Sequence, residues 1–406
     1  MIKKIVTSLC LFLGLISFAQ EGSSSPYSFY GIGDVRFKGT VESRSIGGIA
    51  VEQDSIHINL QNPASFASLK LTSFTIGGTF NKSTLKTDSK SENAQRSTLD
   101  YMAVALPLGK FGVGFGLIPY SSVGYNIKTY TDNTLTTGST YTSSGGVNKV
   151  FLGLGYKINS KVSVGADLNY NFGTIEVVNS QLIDNVVSGT RETNTSKLSG
   201  VNFNLGAMYQ AKLNKKLNFY SGLNYTFGNS LSSQNSRVIE TSSETVPVEQ
   251  ADRTISFSSK ISLSAGIGES KKWLVAGKVD FQGASDLSNS YNQSANVGYG
   301  KSGSVSLGGY YIPDYASFTN YLKRIVYRGG LKYEKTGLVV NSESINDMGL
   351  SLGLGMPITG AFSNINIGFE VGKRGTTSAG LIQDNYMNVS VGLSLNDKWF
   401  EKRKFN

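Results

Sequence analysis

The sequence predicts an all-β protein, a 14-stranded antiparallel transmembrane β-barrel with an N-terminal hatch, or plug, in its lumen. Two observations carry this prediction. Apolar and polar residues alternate through most of the chain, and the links between the alternating runs fall into a short and a long class. The composition agrees, because 21 Tyr, 21 Phe and 47 Gly stand beside only 7 Pro. Aromatic side chains suit the pleated surface of a strand.

The first twenty residues are expected to be a cleaved signal peptide (1–20). Residues 1–4 (MIKK) supply positive charge, residues 5–16 are apolar, and residues 17–19 (SFA) offer small side chains near the cleavage site. The apolar run is too short to span a membrane as a helix. The one cysteine, Cys10, lies in this peptide, so the mature chain is expected to hold no disulfide and no cysteine-bound metal.

The net charge is compatible with a membrane surface. Losing Lys3 and Lys4 with the leader lowers the formal charge from +10 to +8. A basic exported protein suits contact with a lipid bilayer and with the phosphates of lipopolysaccharide, although a polar face that happens to be basic is the simpler explanation of the charge. No basic run interleaved with aromatic residues indicates nucleic-acid binding.

The two-residue period is clear in residues 161–172 (KVSVGADLNYNF). There Leu168, Tyr170 and Phe172 share one face, whereas Asn169 and Asn171 share the other. The fourteen predicted strands are 71–81, 97–108, 110–127, 147–158, 161–178, 196–213, 217–228, 253–268, 272–283, 302–312, 323–334, 345–358, 363–374 and 386–397.

The links between these strands alternate in length. The long polar links are 82–96, 128–146, 179–195, 229–252, 284–301 and 375–385, and the tight links are 109, 159–160, 214–216, 269–271 and 359–362. Outer-membrane barrels have long outer loops and short inner turns, whereas a soluble sandwich or propeller explains the side-chain alternation only. The link 313–322 is long for its class and is expected to hold a short helix.

Aromatic residues near strand ends are expected at the membrane surface. Trp399 and Phe400 follow the last strand, and Tyr310 and Tyr386 lie at the ends of two others. The predicted barrel is therefore 71–400, and a basic periplasmic tail, 401–406, follows it.

A barrel of this width is not filled by its own strands. The segment 21–70 precedes the first strand and is expected to fold back into the lumen. Predicted lumen-facing residues include Phe151, Gly153 and Met208, and many other inward positions are glycine. These glycines are Gly112, Gly114, Gly116, Gly155, Gly349, Gly353 and Gly355. They indicate either the close approach of another backbone or ligand, or bending of the strands.

Residues 44–69 (RSIGGIAVEQDSIHINLQNPASFASL) carry a family resemblance. The run resembles the N-terminal hatch of the FadL-like outer-membrane transporters of long-chain fatty acids and other hydrophobic compounds. The matching residues are Gly47, Gly48, Asp54, Asn62, Pro63 and Ala64, and residues 255–268 are similar to a mid-barrel strand of that family. The resemblance implies fourteen strands, a hatch and passive passage of a hydrophobic small molecule.

The end of the chain, residues 385–405, resembles the C-terminal strands of Bacteroidota outer-membrane proteins. Such bacteria also use FadL-like barrels as subunits that do not transport. Some belong to the type 9 secretion system and others accompany the barrel-assembly machinery (BAM). This resemblance implies a second function, that of an accessory subunit in a complex.

Two local patterns bear on the mechanism. Asn62, Pro63 and Ala64 are predicted to form the hinge of the hatch, either as a static turn into the first strand or as a mobile gate. Pro119 and Gly124 interrupt the third strand, which predicts either a lateral opening in the wall or a strand that passes the membrane edge. An unbroken ladder through residues 116–124 would exclude the opening.

Enzymatic chemistry is not expected. His57, the only histidine, lies in the predicted hatch, so neither a Ser-His-Asp site nor a histidine-based metal site can be assembled on the barrel. No catalytic residue, metal or cofactor is predicted. Two functions remain, both in the bacterial outer membrane: passive transport of a hydrophobic ligand, and a non-transporting role in an assembly or secretion complex. The inward positions are mainly polar, which weakens the first.

Overall fold

One antiparallel sheet of nineteen strand segments closes into a barrel in the computed structural model, which describes residues 23–130, 137–182, 189–288, 291, 296–358 and 362–398. The first segment, β1 (Asp34–Val35), lies in the N-terminal part of the chain, and the other segments form the wall. The wall segments are β2 (Thr72–Lys86), β3 (Ser91–Leu108), β4 (Phe111–Tyr130), β5 (Gly138–Lys157), β6 (Val162–Leu182), β7 (Arg191–Lys212), β8 (Leu217–Thr226), β9 (Asn229–Glu240), β10 (Thr245–Glu249), β11 (Arg253–Phe257), β12 (Lys260–Glu269), β13 (Trp273–Gln282), β14 (Val297–Tyr299), β15 (Ser302–Tyr311), β16 (Val326–Val340), β17 (Glu343–Pro357), β18 (Asn364–Arg374) and β19 (Gln383–Asp397).

These wall segments make fourteen strands, because three of the strands are interrupted. One interrupted strand comprises β8 and β9, another comprises β10, β11 and β12, and the third comprises β14 and β15. The last strand pairs with the first along its length, from Gln383 opposite Lys86 to Asp397 opposite Thr72. The prediction of a closed, fourteen-stranded antiparallel barrel is confirmed.

The two faces of the wall differ in polarity as the alternation predicts. Leu152 and Phe203 point outward and are 57% and 55% exposed. Asn202 and Asn204, on either side of Phe203, are buried on the inner face. An apolar outer face and a polar inner face are typical of a barrel in lipid.

The two ends of the barrel carry different connections. At one end, here called the turn end, short turns such as the one from Leu108 to Phe111 match the predicted tight links. At the other, the loop end, the predicted extent of several long links is wrong. β2 continues to Lys86 and β3 begins at Ser91, so that the link 82–96 is mostly ladder. The links 128–146, 179–195 and 229–252 are shortened in the same way.

The sequence did not predict these extensions of the strands, because both faces of a hairpin are in water where it extends beyond the membrane. Apolar alternation is then no longer required, and the residues, which are mostly polar and include many Ser, Thr and Asn, still pair through their backbones. The polar composition predicts a loop, while the hydrogen-bonded register makes a strand.

In the described ranges, helices are few and short. They are α1 (Val41–Arg44) and the 3-10 helices Pro26–Phe29, Pro63–Ser68, Tyr321–Arg324 and Ser378–Gly380. The helix expected in the link 313–322 corresponds to Tyr321–Arg324, which is capped by the side chain of Asn320 and extends past the link into the first two residues of the predicted strand 323–334. Among the described residues, no helix is long and apolar enough to cross a membrane. The predicted signal peptide, Trp399, Phe400 and the tail 401–406 lie outside the described residues.

Candidate functional site

The N-terminal segment, residues 23–71, contacts inward-facing side chains around the wall. Its first part lies at the loop end, where the hydroxyl of Tyr27 donates to the carbonyl oxygen of Ile382 over 2.6 Å. A later part reaches the turn end, where Nε2 of His57 lies 3.0 Å from Nδ2 of Asn364. The described segment therefore runs through the height of the lumen before β2 begins.

Asn62, Pro63 and Ala64 fasten this segment to the wall. Asn62 is extended (φ −134°, ψ 113°), as a residue before proline prefers, and its Oδ1 accepts from the N–H of Ala64 over 3.1 Å. Its Nδ2 donates to the carbonyl oxygens of Ala207 (3.2 Å) and Leu223 (2.9 Å) in two wall strands. These bonds cap the helix Pro63–Ser68 and hold it in place. The role of the triplet as a hinge stays a prediction.

Inward glycines make room for the segment. A Cβ at Gly112 would overlap the carbonyl of Phe66, and one at Gly206 would overlap the side chain of Asn62. Backbone contact of this kind explains several of the inward glycines, although Gly116 instead faces the backbone of the neighbouring strand β3. Of the two readings of the glycine pattern, the close approach of another backbone therefore applies where the segment touches the wall.

Phe66 is the apolar centre of this contact. Its ring is 2% exposed and stacks on that of Phe151, with centroids 6.5 Å apart and planes 12° from parallel. A Cβ at Gly153 would overlap the same ring. Met208 is also buried on the inner face. The structure thus turns all three predicted lumen-facing residues inward, and it brings two of them to Phe66.

The wall has a break beside the predicted lateral opening. The ladder between β3 and β4 runs from Leu108 opposite Phe111 to Met102 opposite Leu117, and no further pair is formed in the described chain. Beyond this point β3 stays paired with β2, and β4 with β5, after a register shift at Pro119.

The short strand β1 lies against the free edge of β4. Asp34 and Val35 pair with Ser122 and Ser121, and the N–H of Arg36 donates to the carbonyl oxygen of Tyr120 over 2.9 Å. The hydroxyl of Ser28 donates to the carbonyl oxygen of Gly124 over 3.1 Å. The N-terminal segment therefore supplies the partner that β4 lacks at the break, and this satisfies backbone groups that would otherwise be unpaired.

Buried ion pairs bind the segment to the strands on the other side of the break. Asp34 pairs with Arg374, and also with Arg96 (Oδ2–Nη2 3.5 Å). Arg44 pairs with Asp100 of β3 (Nη1–Oδ2 3.4 Å). We call this set the arginine cluster, and its members are Arg36, Arg44, Arg96, Arg374, Asp34, Asp100 and Asp347.

Sequence reasoning did not find the arginine cluster. The available signal was a set of charged residues at inward positions of polar strands, such as Asp100 and Arg374. Their partners lie as far as 340 residues apart in the chain, and only the closed barrel with its segment inside brings them together.

Two tyrosines expected at the membrane surface point into the lumen instead. The hydroxyl of Tyr310 donates to Oε2 of Glu52 over 2.7 Å, and that of Tyr386 donates to Oδ1 of Asp347 over 2.8 Å. The prediction for Tyr310 and Tyr386 is therefore wrong. The rings lie at strand ends, but their side chains are directed inward, toward buried carboxylates that require donors.

A cavity of about 420 Å³ remains between the segment and the wall. Nine Lys and Arg side chains and seven Asp and Glu side chains line it, together with many Ser and Asn. The lining mixes these charges with apolar and aromatic side chains such as Phe37, Tyr120 and Phe257, whereas sites for hydrophobic ligands are mostly apolar. In the described ranges, no group of three or more His, Cys, Asp or Glu side chains is placed to hold a metal ion.

His57 and Asp54 form an ion pair at the turn end, with Nδ1 and Oδ2 2.6 Å apart. Burial alone would lower the pKa of His57, but the carboxylate of Asp54 outweighs it and raises the pKa above its usual value. Burial opposes the shift of Asp54, yet His57 and two backbone N–H groups lower the pKa of this carboxyl to about 2. The pair is thus favoured in its charged form, beside Asn364.

We expect protection of the N-terminal segment to weaken as the pH rises. The contribution of His57 is complete below its unfolded-state pKa of about 6.5 and is lost as the pH rises through its higher folded-state pKa. The contribution of Asp54 is lost only as the pH falls through about 2. Because Asp54 is 36% exposed, the loss above pH 7 should not exceed about 1 kcal/mol.

Hydrogen exchange of residues 54–62 between pH 6 and 9, corrected for intrinsic rates, measures this effect. The variant His57→Gln keeps a polar side chain beside Asn364 without a titrating ring, so its protection should not change over that range. An equal pH dependence in both proteins would show that His57 is not the titrating group.

Comparison with known proteins decides the family. The family model described as BamG matches residues 1–406. The chain belongs to the BamG family. A search of the curated proteins found no match to this chain.

Three solved structures show the fold that the BamG-family chain shares. The toluene transporter TodX of Pseudomonas putida has a TM-score of 0.58 at 14% identity, covering 90% of this chain and 98% of that one. The monoaromatic hydrocarbon channel CymD has a TM-score of 0.54 at 16% identity, with coverages of 90% and 99%. A Pseudomonas aeruginosa FadL homologue has a TM-score of 0.56 at 12% identity, with coverages of 90% and 98%.

These likenesses confirm the FadL-like resemblance. At such identities they establish the fold, which is that of outer-membrane channel barrels. The chain therefore combines the fold of the FadL-like barrels with membership of the BamG family.

Proposed function

We propose that this protein is a non-transporting accessory subunit of an outer-membrane barrel-assembly complex. The observation that carries the proposal is the occupied lumen. Residues 23–71 act as a hatch. The buried arginine cluster and the packing of Phe66 on Phe151 hold it against the wall. Sixteen charged side chains stand among the apolar ones that line the remaining cavity, which disfavours the hydrophobic ligand of a FadL-like channel. Membership of the BamG family supports the same function.

In this proposal the barrel is held in the outer membrane by its apolar outer face, in contact with lipid and lipopolysaccharide. The hatch stabilises the wall rather than opening it. Asn62, Pro63 and Ala64 then act as a static turn and clamp into β2, since both amide hydrogens of Asn62 have carbonyl partners in the wall. The partners would be other subunits of the assembly machinery or of the type 9 secretion system.

A second candidate function is passive transport of a hydrophobic small molecule. The specific observation that favours it is the break between β3 and β4 at Leu117, next to Pro119. A molecule in the lumen would leave sideways into the membrane when β1 moves away from Ser121 and Ser122. The arginine cluster opposes this movement, which is why we place transport second.

A gentle detergent pull-down of the tagged protein, followed by mass spectrometry, tests the proposal. We expect other outer-membrane assembly or secretion subunits to be recovered in stoichiometric amounts. Recovery of the barrel alone from its native membranes would contradict the accessory function and favour transport.

A cross-link separates the two functions further. Val35 and Ser121 lie opposite each other in the ladder, and the predicted mature chain has no cysteine, so Val35→Cys with Ser121→Cys offers a single disulfide. For an accessory subunit, the oxidised variant should recover the same partners as the wild type. For a transporter with a lateral exit, oxidation should block uptake of toluene by cells and reduction should restore it.

A further inference from the structure

Part of the lumen carries an excess of cationic side chains. Lys149 of β5, Lys260 of β12, Lys278 of β13 and Lys332 of β16 line the cavity, together with Lys38 of the N-terminal segment. We call these five the lysine cluster. They come from four strands and the segment, so the excess is a property of the folded lumen and not of one stretch of sequence.

Two carboxylates serve three of these lysines. Asp280 pairs with both Lys278 (Nζ–Oδ2 3.2 Å) and Lys260 (3.8 Å). Glu334 pairs with Lys332. The arginine cluster is closer to balance, with three aspartates for four arginines, and it holds the segment to the wall.

Among the described residues, Lys38 and Lys149 have no such carboxylate partner, and Lys149 is the more buried of the two. It is only 7% exposed, and its ammonium lies 4.4 Å from the centroid of the Tyr120 ring. In the part of the chain that the structure describes, no carboxylate lies within ion-pair distance of it. Asp167 attracts it from farther away, while Lys38 and Lys260 repel it. Burying an ammonium among like charges is costly unless an anion joins it.

We propose that the lysine cluster binds a phosphate group in the lumen, between Lys149, Lys260 and Lys38. A doubly charged phosphate matches a site with several ammonium groups, and lysine binds phosphate as a point charge. The hydroxyls of Ser264 and Ser304 line the same cavity but already donate to the carbonyl oxygen of Gly222 and to Asp280, so the ammonium groups carry the site. The volume of about 420 Å³ lies in the usual range for small-molecule sites. The site does not depend on the proposed accessory function.

Thermal unfolding of the detergent-purified protein in inorganic phosphate, against potassium chloride of equal ionic strength, tests this site. We expect the midpoint to rise with phosphate concentration and to saturate. In the double variant Lys149→Gln/Lys260→Gln the apparent affinity should fall at least tenfold, while Lys149→Arg should retain binding. Lys215→Gln, in an exposed turn, is the matched control and should bind like the wild type.

Dihexanoyl phosphatidic acid in the same assay identifies the source of the phosphate. Binding at least tenfold tighter than that of inorganic phosphate would assign a lipid headgroup, and equal affinity would assign a free phosphate or a soluble ester. A wild type with no shift beyond the chloride control would overturn the proposal. So would a double variant that migrates as a folded barrel on unheated gels and binds phosphate as the wild type does.

Discussion

Replacing Arg374 with methionine is expected to lower the free energy of unfolding by about 3–5 kcal/mol. This guanidinium lies between two buried carboxylates. It bonds Asp347 through Nη2 (2.7 Å) and Nε (3.1 Å), and it pairs with Asp34 through Nη1. Asp34 and Asp347 are only 9% and 5% exposed, so their loss of a shared partner leaves negative charge in a site that water hardly reaches.

The consequence should reach the N-terminal segment. Asp34 belongs to β1, which covers the break beside β4, so repulsion between the two carboxylates would push β1 out of its ladder. Trypsin should then cleave the folded variant after Arg36 or Lys38, which lie just beyond β1 and are protected in the wild type.

Denaturant unfolding in liposomes and limited trypsin digestion measure these two effects. Lys373→Met is the matched control, because it removes a neighbouring but exposed cation and should cost less than about 0.5 kcal/mol. Adding Asp347→Asn to Arg374→Met should recover much of the lost stability, since it removes the carboxylate that loses its arginine, while Asp34 keeps Arg96. A loss below 1 kcal/mol in Arg374→Met would mean that water solvates both aspartates.

The substitution Gly112→Val is expected to displace the helix Pro63–Ser68 from its contact with the wall. Valine suits a strand, but its Cβ would overlap the carbonyl of Phe66 and crowd the N–H of Ala67. These are backbone atoms, which cannot rotate away as the end of a side chain can. Overpacking costs about 1–3 kcal/mol, and loss of the Phe66 contact adds about 3–5 kcal/mol if the helix leaves altogether.

Two measurements distinguish displacement of the helix Pro63–Ser68 from unfolding of the barrel. Single-channel recordings in planar bilayers should show higher conductance for Gly112→Val, because the lumen is no longer filled, and trypsin should cleave after Lys70. The matched control is Gly329→Val, whose Cβ would meet Leu352 at an ordinary 3.7 Å. Conductance at the wild-type level in a folded Gly112→Val protein would show that packing of the helix Pro63–Ser68 does not require a glycine at position 112.

The strand count and the two faces of the wall could be predicted from the sequence. Lipid on one side and a wet lumen on the other impose a two-residue period, and that period is local. The contacts of Asn62 could be predicted only in part. Its extended conformation follows from Pro63, but its hydrogen-bond partners in β7 and β8 do not follow from the local sequence. Tyr310 was misjudged because a strand end does not by itself define which way a ring points.

By itself, the sequence determined that this chain folds as a fourteen-stranded barrel preceded by a segment of another kind. Only the tertiary structure decided what that segment does to the lumen. Asp34 meets Arg374, and β1 meets the free edge of β4, through contacts between residues far apart in the chain. Such pairs leave no period in the sequence, because their energy arises from burial and from charges that exist side by side only after the barrel has closed.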